Sequence, residues 1–246
     1  MLSLWAKTSG TWINVVLVLV GTGSGLMLRG RLPRAMQDVI TQAMGLITLF
    51  IGIQMAQPLT DINAGAIAGV IVGMVSLVIG GLLGEWWQLE NRLAAVGDKL
   101  KARFGGGSRF TEGFVASSLL FCIGPMAILG SLNNGLSGDD TILIIKGTMD
   151  GLISIALTGS YGAGVGFSIL PVAIYQGGLS LLAGLLSGGS DPAAAPTILL
   201  VTGVGGIIIL GIGFNLLQVT KIRVASFLPA LLLTPLLYKL CEQLSA

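Results

Sequence analysis

Lys146 and Asp150 stand four residues apart in "TILIIKGTMDGLISIALTG", Thr141 to Gly159, an otherwise apolar run long enough to cross a bilayer. At this spacing the two side chains share one helix face, where ammonium and carboxylate neutralise each other. Counted at about 1.5 Å per residue from Thr141, Lys146 lies roughly 8 Å and Asp150 roughly 14 Å into the helix, so the carboxylate reaches mid-membrane. Ionisable groups are expensive there and mark ion pathways or fixed charge pairs. Asp150, beside Gly151 and Ser154, can bind a cation or take up a proton, with Lys146 as its counter-ion in the empty state. The competing reading is plain neutralisation, with Lys146 near enough to the helix end to snorkel to the surface.

Asn14, Gln54, Asn215 and Tyr161, and after them Gln42, Gln176 and Ser160, are further candidates to line a polar path or to bond between helices. Other chemistry is poorly supplied. There is no histidine and there are only two cysteines, Cys122 and Cys241, too few ligands for a Cys/His metal site. An acid/base centre would rest on Asp150, Lys146 or Tyr161 alone, so the expectation is a non-enzymatic protein with no cofactor. "GTGSG" at Gly21 lies inside an apolar run without the strand that a phosphate-binding loop needs, and no nucleic-acid patch is present.

The elements that must position these residues follow from composition. The chain has 246 residues, 53% hydrophobic and 10% charged, with a mean hydropathy of +0.91, which places it among all-α polytopic membrane proteins whose main partner is the lipid bilayer. Apolar runs predict eight transmembrane helices, near 11–28, 36–56, 64–84, 111–131, 141–159, 162–186, 196–217 and 224–240. With both termini outside, Arg29, Arg31, Arg34, Arg92, Lys99, Lys101, Arg103, Arg109, Lys221 and Arg223 fall on the cytoplasmic side. The outer loops "QPLTDIN", "NNGLSGDD" and "SGGSDPAAAP" then carry acids and no Lys or Arg. Arginines directly after the first apolar run argue for a retained span rather than a cleaved signal peptide.

One segment, Glu85 to Phe104, reads as an interfacial amphipathic helix: Trp86, Leu89, Leu93, Val96, Leu100 and Phe104 recur every three or four residues among charges. "GGGS" after it is a flexible joint. The expected organisation is a first three-span unit over 1–84, the cytoplasmic helix and joint over 85–109, a second three-span unit over 110–190 and a C-terminal helix pair over 191–246. "GLITLFIGIQ" from Gly45 aligns with "GIIILGIGFN" from Gly206, and "GLITL" matches "GLISI" from Gly151, which suggests a 3+3 inverted repeat. In that alignment Asp150 falls opposite Met44, so the charge is specific to the second copy. Thr41, Gly45, Thr48 and Gly52, with Asp38 before them, and Gly147, Gly151, Ser154 and Thr158 form small-residue stripes for close packing or for a narrow polar path. Pro125, Pro171, Pro229 and Pro235 fall inside spans, where each frees a backbone carbonyl.

"GTWIN" at Gly10, "RLPRAMQDVITQAMGLITLFIGIQMA" at Arg31, "SSLLFCIGPMAILGSLNNGLSGD" at Ser117, "LPVAIYQG" at Leu170 and "ILGIGFNLLQVTKIRVASFLPALLLTPLL" at Ile209 resemble the YdfK/YqgA-like family of bacterial inner-membrane proteins over nearly the whole chain. The resemblance implies the membrane class and supplies no substrate, cofactor or functional residue. Two functions stay open. One is a secondary transporter or channel for a small solute or ion; the other is a scaffold or regulatory subunit working through the helix at Glu85 to Phe104, where Lys99, Lys101 and Arg103 can meet anionic lipid. Polar-striped helices are compatible with a homo-oligomer.

Overall fold

In hydrocarbon every backbone N–H and C=O must be paired within its own segment, and apolar runs rich in Leu, Ile, Val and Gly answer that demand by forming helices. The computed structural model describes residues 3–29, 33–186 and 196–245 and is almost wholly helical. Its helices are α1 Leu4–Arg29, α2 Arg34–Ala56, α3 Pro58–Asp61, α4 Gly69–Trp86, α5 Leu89–Phe104 and α6 Phe110–Cys122. They continue with α7 Pro125–Ser137, α8 Thr141–Tyr161, α9 Ile169–Leu186, α10 Pro196–Leu216 and α11 Leu228–Ser245. A two-stranded antiparallel hairpin, β1 Asn63–Ala64 and β2 Ile67–Ala68, precedes α4, and 3₁₀ segments Ala163–Ser168 and Val224–Phe227 lead into α9 and α11. Seven helices among the described residues are long and apolar enough to cross a membrane, and α6 with α7 makes an eighth if the bent pair is one span. Arg31 and the expected outer loop over 187–195 lie outside the described residues.

Several boundaries differ from the sequence expectation. The third span begins at Gly69 rather than 64, because the one-turn helix α3 and the hairpin occupy 58–68. The amphipathic helix begins at Leu89 rather than Glu85: α4 runs on to Trp86, and Gln88, at φ 53°, breaks the chain's direction. The fourth span is two helices that meet at 59° across Ile123 and Gly124. Pro125, Pro171 and Pro229 sit in the first turns of α7, α9 and α11, where a missing N–H frees no carbonyl; only Pro235 stands inside its helix.

By compactness the chain forms two units, each discontinuous in sequence: Met1–Met44 with Ala94–Ser190, and Gly45–Leu93 with Asp191–Ala246. α2 and α5 each divide between the two units.

In the first unit α1 and α8 run parallel. Gly10 meets Leu143, Gly147 meets Asn14, Gly21 meets Gly151, and Gly25 meets Ile155 and Thr158, so contacts advance in the same direction along both helices. The α6–α7 pair spans the thickness of this unit. Phe110 and Gly113 pack on Gly164, Tyr161 and Val165 at the C-terminal end of α8, and Asn134 reaches Ala6 and Gly10 near the start of α1. A chain that starts at one end of its neighbours and finishes at the other is placed as a broken span would be, the arrangement in which the described residues hold eight candidate crossings. α9 returns the same way, from Thr22 beside Gly166 to Thr11 beside Gly177.

In the second unit the C-terminal half of α2 packs antiparallel on α10 through the glycines that the sequence alignment pairs. Gly45 faces Leu217 and the Gly213 carbonyl; Gly206 faces Ala56 and the Gly52 carbonyl; Gly52 meets Leu210, and Gly213 meets Leu49. The aligned positions exchange roles across the contact. α4 packs on α11 and its 3₁₀ lead-in through Gly80 against Ala230 and Gly84 against Ser226.

Candidate functional site

The small residues of α8 decide where its charges go. Gly147 lies against Asn14, and Gly151 against the backbone of Leu17, so α1 and α8 approach closely and the face carrying Lys146 and Asp150 is shut inside the bundle. Both residues are buried, Lys146 to 6% and Asp150 to 5% exposure, which removes the snorkelling alternative for Lys146. The Lys146 ammonium is in direct contact with Asp150 Oδ2. Asn14 Nδ2 donates to the same oxygen at 3.0 Å and to Gln176 Oε1 of α9 at 3.2 Å. Asn14 and Gln176 are both fully buried. Charge-assisted bonds of this kind are the strong ones, and burial removes the competing water.

The break in the fourth span falls at the level of this cluster. Lys146 Nζ lies 6.0 Å from the ring centroid of Phe121, in the last turn of α6, where the negative end of the helix favours a cation. Discontinuous spans place such helix ends in the membrane interior, where transporters use them to hold ions and solutes. Val18, Phe121 and Val172 pack together beside it as a dry wall.

Hydrogen bonding in the cluster is incomplete. Asn14 must turn Nδ2 towards the carboxylate, which leaves Asn14 Oδ1 buried without a partner; Gln176 accepts through Oε1, which leaves Nε2 buried without one. Thr11, Thr22, Ser131, Thr158 and Ser180 also bury hydroxyl oxygens with no partner. Thr11 lies one turn from Asn14 on α1, and Ser180 one turn from Gln176 on α9. A groove of about 580 Å³ between these two helices, with Trp5, Trp12, Ile174 and Leu181 among its walls, has Thr11 and Gly177 at its edge. An unpaired buried polar atom costs about 1–3 kcal/mol, so an unpaired set of them is a feature to explain.

The structure brings Asn14, Lys146, Asp150 and Gly151 together, and Ser154 joins them through its hydroxyl, which donates to the Asp150 carbonyl at 2.7 Å. Tyr161 stands elsewhere, at the end of α8, with the Arg109 guanidinium 4.3 Å from its ring centroid. Gln54 and Asn215 belong to the second unit. Gln54 is exposed, and Asn215 clamps a turn, donating to the Ile222 carbonyl at 2.8 Å and accepting from its N–H at 2.7 Å. Asn215 is therefore occupied with its own backbone. Gln176 serves as an interhelical hydrogen-bond partner of Asn14, and the sequence offered no signal that singled out Thr11, Ser180 or Asn134. Asn134 bridges the Gly10 N–H and the Ala6 carbonyl, both ends of one helical rung of α1, and Asp140 accepts from Ser9 at 2.7 Å. Asp139 accepts from Thr141 at the start of α8, which holds its carboxyl below the usual range.

The family model described as "Protein of unknown function (DUF554)" matches residues 9–239. The chain belongs to that family. It is similar to the "Uncharacterized membrane protein YdfK" of Bacillus subtilis (strain 168), 35% identical over 229 residues that cover 92% of this chain and 93% of the relative. It is also similar to the "Uncharacterized protein YqgA" of Escherichia coli (strain K12), 29% identical over 231 residues, 91% of this chain and 93% of that one. No solved structure matches. Membership agrees with the helical architecture: the protein is an all-α polytopic membrane protein.

Proposed function

We propose that the protein carries a small solute or ion across the membrane, as a secondary transporter or channel, with Asp150 as the coupling carboxylate. The observation that carries this is the buried cluster of Asn14, Lys146, Asp150 and Gln176, which sits beside a broken span and holds more polar atoms than its own bonds use. A neutralised pair retained for packing would be expected to satisfy its neighbours; here the neighbours are left open to a ligand. Partnerless Thr11 and Ser180 towards one end of α1 and α9, and Thr22 and Thr158 towards the other end of the first unit, extend the polar line in both directions. The solute moves without chemical conversion. Asp150→Asn is expected to abolish flux in reconstituted vesicles screened with cations, organic acids and amino acids, while the protein stays folded; full flux in that variant removes Asp150 from the mechanism.

The distribution of Lys and Arg supports an inner-membrane location with both termini outside. The exchange of roles between the glycines of α2 and α10 supports an inverted repeat, with α10 as the partner of α2. The scaffold reading rests on one observation, the exposure of Lys99 and Arg103 on α5. Against it, α5 is held to α6 by Gly97 on Phe114 and by the Thr111 hydroxyl donating to Asp98 at 2.6 Å, the arrangement of a fastened connector. Inactivity across the whole vesicle screen would favour the scaffold.

A further inference from the structure

We propose that Asn14 and Gln176 form a binding site for a small uncharged solute that carries a hydrogen-bond donor beside an acceptor, as urea, a primary amide or a polyol does. This rests on the transport reading and names the class of solute. A side-chain amide has two N–H donors and one carbonyl acceptor. Asn14 Nδ2 commits both donors, one to Asp150 Oδ2 at 3.0 Å and one to Gln176 Oε1 at 3.2 Å. Asn14 Oδ1 and Gln176 Nε2 are left without partners, on two residues that are fully buried.

Asp150 imposes this arrangement. Turning Asn14 over would set its carbonyl oxygen against the carboxylate, and turning Gln176 over would set its N–H groups against those of Asn14. The open atoms are therefore one acceptor, on α1, and one donor, on α9. Their reach follows from covalent geometry. The oxygen and nitrogen of one amide lie about 2.2 Å apart, so across the bond that joins the side chains Oδ1 and Nε2 are no more than about 8 Å from each other. A planar amide that donates to Oδ1 and accepts from Nε2, through bonds of about 2.9 Å each, spans such a distance, and adjacent hydroxyls of a polyol do the same.

Charge decides against an ion at these two atoms. Lys146 and Asp150 neutralise each other, so the cluster has no net charge to offer, and an ion bound there would be buried without a counter-charge. The approach selects in the same direction. The groove between α1 and α9 has Thr11, one turn before Asn14, and Gly177, next to Gln176, among its walls, and a Cβ on Gly177 would meet only Thr11 Cγ2, at 3.9 Å. No charged residue lines that groove. An uncharged solute can follow such a wall, whereas an ion finds no partner along it.

The test uses the full chain in liposomes that are mixed rapidly with an excess of urea, acetamide or glycerol, with shrinkage and re-swelling followed by light scattering. Protein-free liposomes give the background, and guanidinium chloride, shaped like urea but charged, is the control. Re-swelling is expected to exceed the background with at least one of the three uncharged solutes and to match it with guanidinium. Gln176→Met keeps the length of the side chain, removes the Nε2 donor and should slow that entry at least about tenfold. Should Gln176→Met fail to fold, the contrast between the uncharged solutes and guanidinium in the unaltered protein decides. Guanidinium entry as fast as that of the uncharged solutes, undiminished entry in a folded Gln176→Met variant, or faster water loss with no re-swelling overturns the proposal. Movement of an ion or a charged solute while none of the uncharged ones moves overturns this site and leaves the transport reading standing; no movement of any solute overturns both.

Discussion

Replacing Gly21 by alanine tests whether the contact of α1 with α8 holds the cluster together. A Cβ on Gly21 would lie 2.1 Å from the Gly151 carbonyl oxygen and 2.9 Å from its carbonyl carbon. The first distance is about 1 Å inside any separation that a carbon tolerates. The obstacle is backbone in the middle of a helix, so it cannot swing away and the two helices must separate. Overpacking of this kind costs about 1–3 kcal/mol. Asn14 stands two turns from Gly21 on the same face of α1, and its bond to Asp150 measures 3.0 Å. A separation of about 1 Å stretches that bond beyond hydrogen-bonding range, which adds the loss of a charge-assisted bond, about 1.5–3 kcal/mol. Gly23 is the control: a Cβ there meets nothing within 4 Å, so Gly23→Ala should be neutral or gain up to about 1 kcal/mol from the lower backbone entropy of alanine. The assay is heat unfolding of the purified protein in detergent, paired with the vesicle flux. Wild-type stability in Gly21→Ala, or equal damage in Gly23→Ala, would refute the reasoning.

Removing the turn clamp with Asn215→Ala deprives the Ile222 N–H and carbonyl of their partners and should cost about 1–3 kcal/mol, visible as faster limited proteolysis over 217–223. Glu90, on α5 outside the spans, has its carboxyl pushed above its ordinary value by burial, against the opposing pull of the Ala225 N–H, which donates to it at 2.8 Å, and of Arg223. In the window just above the ordinary glutamate range the folded chain therefore binds more protons than the unfolded one. Stability contributed by Glu90 is full below that range and falls as pH rises through the raised value; Glu90→Gln should flatten this part of a melting-temperature profile against pH. In a Cys122→Ser background, Cys241 near the end of α11 should react with a membrane-impermeant thiol reagent added outside intact cells; labelling only after permeabilisation reverses the proposed orientation.

The membrane class, the number of crossings and the Lys146/Asp150 pair were legible in the residues because each depends on local quantities: length of an apolar run, helical spacing, and the cost of a charge in hydrocarbon. The alignment of Gly45 with Gly206 was legible as well, but that the two helices pack on each other was not. The break between α6 and α7 was half visible. Pro125 marked it, but proline alone does not say whether a helix kinks or starts anew. Asn215 and Tyr161 were misplaced because a polar residue in a span has the same sequence signature whether it faces a path, a neighbouring backbone or a guanidinium.

By its own order of residues the chain determined that it folds as membrane helices and that one of them carries an ion pair on one face, since backbone pairing and side-chain spacing act within a segment. Tertiary structure decided what surrounds the pair. Asn14 and Gln176 lie 136 and 26 residues from Asp150 in sequence, and only the close glycine contacts of α1 with α8, and the return of α9 beside them, bring the Asn14 amide to the carboxylate and Gln176 to that amide. Which polar atoms are left over is a property of that meeting, because a hydrogen bond is satisfied or orphaned by position and not by residue type.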